Sequence, residues 1–464
     1  MASWAFTELI GAEMGDMRLN DRLIRIVEAM SDQPEVAIPQ ACGKAGAKAA
    51  YRFFDNPRVQ VKDIWAVHVA RTVKRAAEHA IVLAPQDTTT WSLSHHPATQ
   101  GLGPIGDDRE SRGMLIHSTL LLSPRGTPLG IVDQQAWARS LGNYGSRRLA
   151  RQKSVEQKES GCWLKSLAAV QQILPENQQV VVIGDRESDI FDLFVAPRRP
   201  GVELLVRVGR VTRKVDHEAG YLNRAISQTP VRGTLLVEVP RADDRPTRQA
   251  KLELRWTTLT VLPPRNHFQR RELSPIRLQF ILAEERQPPA DQEPVSWLLM
   301  TTLPVENLED AARLLTWYTY RWRNERFHFV LKSGCGIEDL QLEKAERLER
   351  ALPCYSLVAW RLLWLTYQAR QNPEQPCTGI LERHEWQSLC ATVHPRKPIP
   401  SHPPTLRDAI CMIAQLGGFL ARKHDRHPGV QTLWRGLRRL NDISSTWQLA
   451  MLRYARDKTP ATCG

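Results

Sequence analysis

The sequence predicts an α/β fold built on a mixed sheet, with helical segments at both ends, on three observations. Short apolar runs of strand length begin near residue 80, a helical stretch separates the third run from the fourth, and residues 1–60 and the last hundred residues carry helical periodicity instead.

Taken in order, residues 18–30 place Leu19, Leu23, Ile26, Val27 and Met30 on one helical face and Arg18, Arg22 and Arg25 on another. After a Pro-containing break, a second helix from Ala45 to Phe54 aligns Lys44, Lys48 and Arg52 and stops at Asn56-Pro57. Two short helices with basic faces predict a small DNA-binding head of helix-turn-helix character, against the plainer reading of solvated faces on a helical cap. Strands are expected at AIVLAP before Asp87, at 114–122, at 128–137, at QVVVIG before Asp185 and at 203–208, with a helix over 162–173. Residues 231–300 read as wholly β and are expected to form an insertion within the α/β domain. One helix is expected from Asn307 to Gly334, followed by helices near 349–370, 378–391, 405–423 and 430–456, broken by the Pro-rich stretch at 394–404.

Composition narrows the function. With 42% hydrophobic and 24% charged residues the chain can bury real cores, which excludes disorder throughout. No apolar run approaches the ~18 residues a bilayer crossing needs, and the acidic start does not read as a secretory leader, so a cytoplasmic, nucleoid-associated protein with no membrane partner is expected. Eight cysteines without zinc spacing read as reduced thiols. The formal charge of +13, carried by 49 Arg against 14 Lys, favours a polyanionic partner, because arginine forks phosphate bidentately.

Asp87 and Asp185 each end an apolar run predicted to be a strand, where α/β sheets present functional groups, although an acid there is more often a turn former. On a straight helix Tyr318, Arg321, Glu325 and Lys332 fall at about 0°, −60°, −20° and −40°, one acid flanked by three phosphate-holding groups on a narrow stripe. The plainer reading is an ion pair between Arg321 and Glu325 at i and i+4. Three carboxylates together would suit two divalent cations, Mg²⁺ or Mn²⁺, able to drive an in-line phosphoryl displacement.

The residues YTYRWRNERFHFVLKSG at 318–334, QDTTTWSLSH around Asp87, KESGCW at 158–163, GDRESDI around Asp185 and AYRFFDNP at 50–57 resemble the DDE transposases of bacterial insertion sequences, in the insertion-sequence-four, Tn5-like group with a Tyr-Arg-Glu-Lys signature. That resemblance implies an RNase H-like catalytic core with a β-strand insertion, flanked by a small helical N-terminal domain and a helical C-terminal domain. The implied boundaries are a DNA-binding domain at 1–60, a catalytic domain at 61–370 with its insertion at about 209–304, and a dimerisation domain at 371–464. It further implies Asp87, Asp185 and Glu325 as catalytic metal ligands, and cut-and-paste transfer of double-stranded DNA by a homodimer in a synaptic complex. Water would nick the transposon end, the freed 3′-OH would form a hairpin on the opposite strand, and the reopened end would join target DNA. Tyr318, Arg321 and Lys332 would grip phosphates, Trp297 would stack on an unstacked base, and Arg207 and Arg186 are further phosphate candidates. Trp297 equally reads as a core aromatic of its strand, and either arginine as a partner orienting the carboxylates. Two other functions stand beside the transposase: a DNA-binding regulator that does not cut, and a structure-selective nuclease on the same fold.

Overall fold

The computed structural model describes residues 3–106, 110–140, 154–239, 247–267, 269–290 and 292–457. Four helices open the chain: α1 (Trp4–Leu9), α2 (Met17–Asp32), α3 (Ile38–Asp55) and α4 (Val61–Ala76). Leu23, Ile26, Val27 and Met30 of α2 are buried, as the apolar stripe predicts. Helix α3 begins well before Ala45 because it is two pieces joined at Gly43, whose φ of +65° only glycine adopts without strain. Helices α1 and α4 have no counterpart in the periodicity reading.

The core sheet follows as β1 (Ile81–Ser92), β2 (Arg112–Leu122), β3 (Pro128–Trp137), helix α5 (Gly161–Ile173), β4 (Gln179–Gly184), α6 (Phe191–Val195) and β5 (Val202–Arg207). Helix α7 (Leu222–Gln228) leads into β6 (Gly233–Val239), β7 (Arg248–Val261), β8 (Ile276–Glu285) and β9 (Ser296–Thr301). Among the described residues the strands form one sheet in the order β3-β2-β1-β4-β5-β9-β8-β7-β6, with the short pairing Gly103–Pro104 on β2. An antiparallel meander β1-β2-β3 followed by β4 and β5 parallel to β1 is the RNase H-like order. The later strands are antiparallel and extend that same sheet beyond β5.

Alternation puts the two faces of the sheet into different cores. Leu83, Val181 and Ile183 face one, with Leu314, Phe327 and Leu357. Val82, Ala84, Val180 and Val182 face the other, with Trp163, Leu167 and Phe194. The chain then runs through α8 (Leu308–Thr319), α9 (Trp322–Phe329), a π-helical turn (Val330–Gly334) and the long α10 (Ala345–Gln371). Helix α10 is buried around most of its circumference, which marks it as the central post between head, sheet and C-terminal helices. Those are α11 (Arg383–Val393), α12 (Leu406–Leu416) and α13 (Val430–Asp457), around a third core of Trp386, Leu389, Ile410 and Leu433.

The helix expected from Asn307 to Gly334 is therefore three segments. Hydrogen bonds tighten to i→i+3 between Trp317 and Asn324 and widen after Phe329, so the stripe from Tyr318 to Lys332 is not one straight face. The seven described cysteines are free thiols, and Cys463 lies outside the described residues. No described helix is long and apolar enough to cross a membrane.

A buried polar cluster fastens the head to the sheet. Arg75 on α4 grips Glu8 on α1 with two 2.9 Å bonds and donates through Nε to the Leu129 carbonyl at 2.6 Å. His68 Nδ1 meets Glu8 Oε1 at 2.6 Å while Nε2 accepts the Ile131 N–H at 3.0 Å, which fixes the proton on Nδ1. Burial alone would raise the Glu8 carboxyl, but His68 and Arg75 outweigh it and pull it to about 2. Replacing Glu8 by Ala removes the only counter-charge of Arg75 in this cluster and the acceptor of His68 Nδ1, and is expected to cost about 3 kcal/mol in denaturant unfolding at neutral pH. Because the folded pKa is depressed, the wild-type advantage holds above the usual carboxylate value and fades as pH falls toward 2, which melts of both proteins down the pH scale would register.

Candidate active site

The two aspartates are brought together by strand register. Parallel pairing of β1 with β4 matches Ile81 to Gln179 and Pro85 to Ile183, an offset of 98 residues and the separation of Asp87 from Asp185. Asp87 is not at the end of its strand as expected: β1 continues to Ser92, held there by β2, with Asp87 opposite Ser118. Asp185 lies one residue past β4, where its Oδ1 accepts the Glu187 N–H at 2.8 Å and caps a 3₁₀ turn over Arg186–Ser188. Gly184 makes that turn possible, since a Cβ there would collide with the Ser188 hydroxyl.

Helix α9 supplies the third side. Asn324, fully buried, donates to the Pro85 carbonyl at 2.7 Å and seats the helix on β1. Three residues before it, Arg321 Nη2 donates to Glu325 Oε1 at 2.6 Å while Nη1 lies 3.7 Å from Asp87 Oδ1. The other Asp87 oxygen lies 3.6 Å from His328 Nδ1. Burial pushes the Asp185 carboxyl above its usual range and Asp87 adds to the rise, against the Glu187 N–H and the Arg321 charge. Burial works against the charge of Arg321, yet Tyr318, Asp87 and Glu325 together raise its pKa.

Of the expected residues, Asp87, Asp185, Arg321 and Glu325 thus converge, but not as three carboxylates around one point. Among the described residues no three His, Cys, Asp or Glu side chains stand together as a cation site, and Glu325 reaches Asp87 only through Arg321. The i, i+4 ion pair weighed against the phosphate stripe is therefore formed. The aspartate pair itself fits a hard divalent cation, two oxygen donors that repel each other in a half-buried place, while the unpartnered Arg321 Nε nearby is a donor suited to an anion's oxygen.

The other predicted residues spread out. Tyr318 closes α8 at 2% exposure with its ring 6.4 Å from that of half-buried Trp297 on β9, so neither offers an open face. Lys332 sits in the π-helical turn, 3.6 Å from Glu338. Arg186 is exposed beside Asp185, and Arg207 donates to the Ser296 carbonyl at 3.3 Å. In the head Arg25, Lys48 and Arg52 are exposed, Arg22 is half-buried, and Arg18 is exposed but bonded to Asp16. Two residues were missed. Glu187, two positions beyond Asp185, is raised by burial and by the charges of Asp185 and Asp87. His328, three positions after Glu325, shares its helix face, a spacing that could have found it.

Comparison with known proteins adds three findings. Residues 1–59 match the family described as "Transposase DNA-binding", and residues 357–460 match "Transposase Tn5 dimerisation domain". A cryo-EM structure of a piggyBac transposase synaptic complex with hairpin DNA overlaps 96% of this chain and 77% of its own at 8% identity and a TM-score of 0.38. An overlap that low carries nothing beyond what the sheet order shows.

The raised Asp185 carboxyl predicts an effect on stability without metal. At neutral pH its charge opposes folding, so Asp185→Asn, which keeps the cap, should raise the melting temperature in EDTA by about 1–2 °C at pH 8. The gain should shrink as pH falls and wild-type Asp185 takes up its proton. Equal melting temperatures at pH 8 would mean that burial and Asp87 together do not disfavour the Asp185 charge in the folded protein.

Proposed function

We propose, from the matches of residues 1–59 and 357–460 to transposase DNA-binding and Tn5 dimerisation domains, that the chain is a Tn5-like transposase that cleaves DNA at the ends of a mobile element and joins them to target DNA. The observation that carries this reading is the register-matched pair Asp87 and Asp185 beneath the helix of Arg321 and Glu325. Asp87 and Asp185, with Glu325 once Arg321 leaves it, would hold two divalent cations, Mg²⁺ or Mn²⁺. When bound, these supply the activation of an attacking hydroxyl and the stabilisation of a leaving oxygen.

The chain's own residues do the rest. Arg321 has two carboxylate partners now and would exchange one for a DNA phosphate, freeing Glu325 as the DNA seats. Lys332, a quarter exposed, would hold a second phosphate. Tyr318 is too buried to reach the backbone in this arrangement and would act by placing Arg321. Water would nick the end, the resulting 3′-OH would close a hairpin across the duplex, and the reopened 3′ end would attack target DNA. Residues 1–59 would hold the end sequence, and the C-terminal helices would pair two protomers around two ends.

The test is incubation of the purified protein, with Mg²⁺ or EDTA, on duplex DNA carrying the inverted repeats that flank its own gene. Metal-dependent nicks at the repeat boundary followed by hairpins are expected, and Glu325→Ala should abolish both while a band shift on end DNA persists. Binding with no cut in either metal would favour the regulator, and cut ends never transferred to a second duplex would favour the nuclease. Replacing Arg18, Arg22 and Arg25 together by Ala should flatten the salt dependence of end binding by about 0.9 in logarithmic slope for each phosphate no longer neutralised. An unchanged slope would return these arginines to a solvated face.

A further inference from the structure

We propose that His328 is a positioning residue that holds the Asp87 carboxylate in the orientation needed to bind a cation; this rests on the reading of Asp87 as a cation ligand. His328 is 4% exposed and sits on α9 one turn beyond Glu325. Its Nδ1 is 3.6 Å from Asp87 Oδ2, and its Nε2 is 3.2 Å from Ser118 Oγ. The first distance is longer than a formed hydrogen bond, so the contact orients the carboxylate electrostatically and leaves its lone pairs for a ligand.

The orientation of His328 is itself set by a chain of polar groups, buried except for half-buried Gln134. Ser356 on α10 donates to Gln134 Oε1 at 3.0 Å, and Gln134 Nε2 on β3 donates to Ser118 Oγ at 3.1 Å on β2. Ser118 Oγ, having accepted from Gln134, has its own proton to give to His328 Nε2. When Ser118 donates in this order, the imidazole proton sits on Nδ1, facing the carboxylate. Ser118 and Ser356 are fully buried, and buried hydroxyls that all find partners hold a unique arrangement. The neighbouring histidine has different work: His117 meets Thr88 Oγ1 at 2.8 Å and Gln86 Oε1 at 3.3 Å, and burial holds it neutral.

Losing a hydrogen-bonded partner of a metal-ligating carboxylate costs about 10–100-fold in metal affinity, and a contact at 3.6 Å acts at the low end of that range. The experiment titrates Mn²⁺ into the full-length protein without DNA and reads the free ion by electron paramagnetic resonance, with Asp87→Asn as reference. His328→Phe keeps the ring volume but no nitrogen, and is expected to weaken Mn²⁺ binding about tenfold or more. It should also raise the Mg²⁺ needed for half-maximal cleavage, while end binding is unchanged. His328→Asn restores a donor near Nδ1 and should recover most of the loss. Ser118→Ala, which removes only the partner of Nε2, should weaken binding by a smaller factor and decides the matter if the Phe variant does not fold. No Mn²⁺ binding by wild type, or full binding by Asp87→Asn, would overturn the reading of Asp87 itself. Loss in Asp87→Asn with wild-type affinity in His328→Phe and Ser118→Ala would overturn the role of His328 alone. Equal losses in the Phe and Asn variants would reduce His328 to a packing residue and overturn the proposal.

Discussion

Parallel pairing of β1 with β4, strands about 4.8 Å apart, sets Asp87 beside Asp185 just past the end of β4, two like charges in a half-buried place. Left to themselves such carboxylates oppose folding, which is the sense of the raised pKa of Asp185. The surrounding elements answer that repulsion. Arg321 brings a buried positive charge to Asp87, His328 faces the remaining Asp87 oxygen, and the Glu187 N–H donates to Asp185. Charge balance here is local and replaceable, because Arg321 is shared between Asp87 and Glu325 and can exchange either for another anion.

Helix α9 delivers this chemistry at fixed spacing. Arg321 and His328 stand four before and three after Glu325, so one helix seated by one buried asparagine aims all of them at β1. The tightened turn before α9 and the π-helical turn after it separate this short piece from α8 and α10. Rotation of Tyr318 and Lys332 off its face follows from those two turns.

Helix α10 ties the site to the rest of the molecule. Its Ser356 begins the polar chain that ends at His328, and its Trp360 lies under Arg75 and against His68 in the cluster that anchors the head. From Leu357 onward the chain matches the family described as a Tn5 dimerisation domain, so the helix packed on the sheet is the one that enters the matched C-terminal part of the chain. Residues of the head, the sheet and the C-terminal helices are thus fastened to one buried post.

Much of this was legible in the sequence because it is set by local periodicity. The apolar stripe of α2, the strands at 128–137 and 179–184 and the helix near 162–173 follow from side chains alternating or recurring within a few residues. The acidic and basic residues of the site were visible as residue types for the same reason. Only the tertiary structure decided their relations. The offset that aligns Asp87 with Asp185 is a pairing between distant segments, the breaks around α9 depend on what it packs against, and the partners of Arg321 are chosen by the space left between sheet and helix. His328 stayed hidden because its meaning comes from Asp87 and Ser118, each more than two hundred residues away in sequence and brought within reach only by the folded sheet. Local propensity sets which face a residue occupies, while long-range packing sets what that face meets.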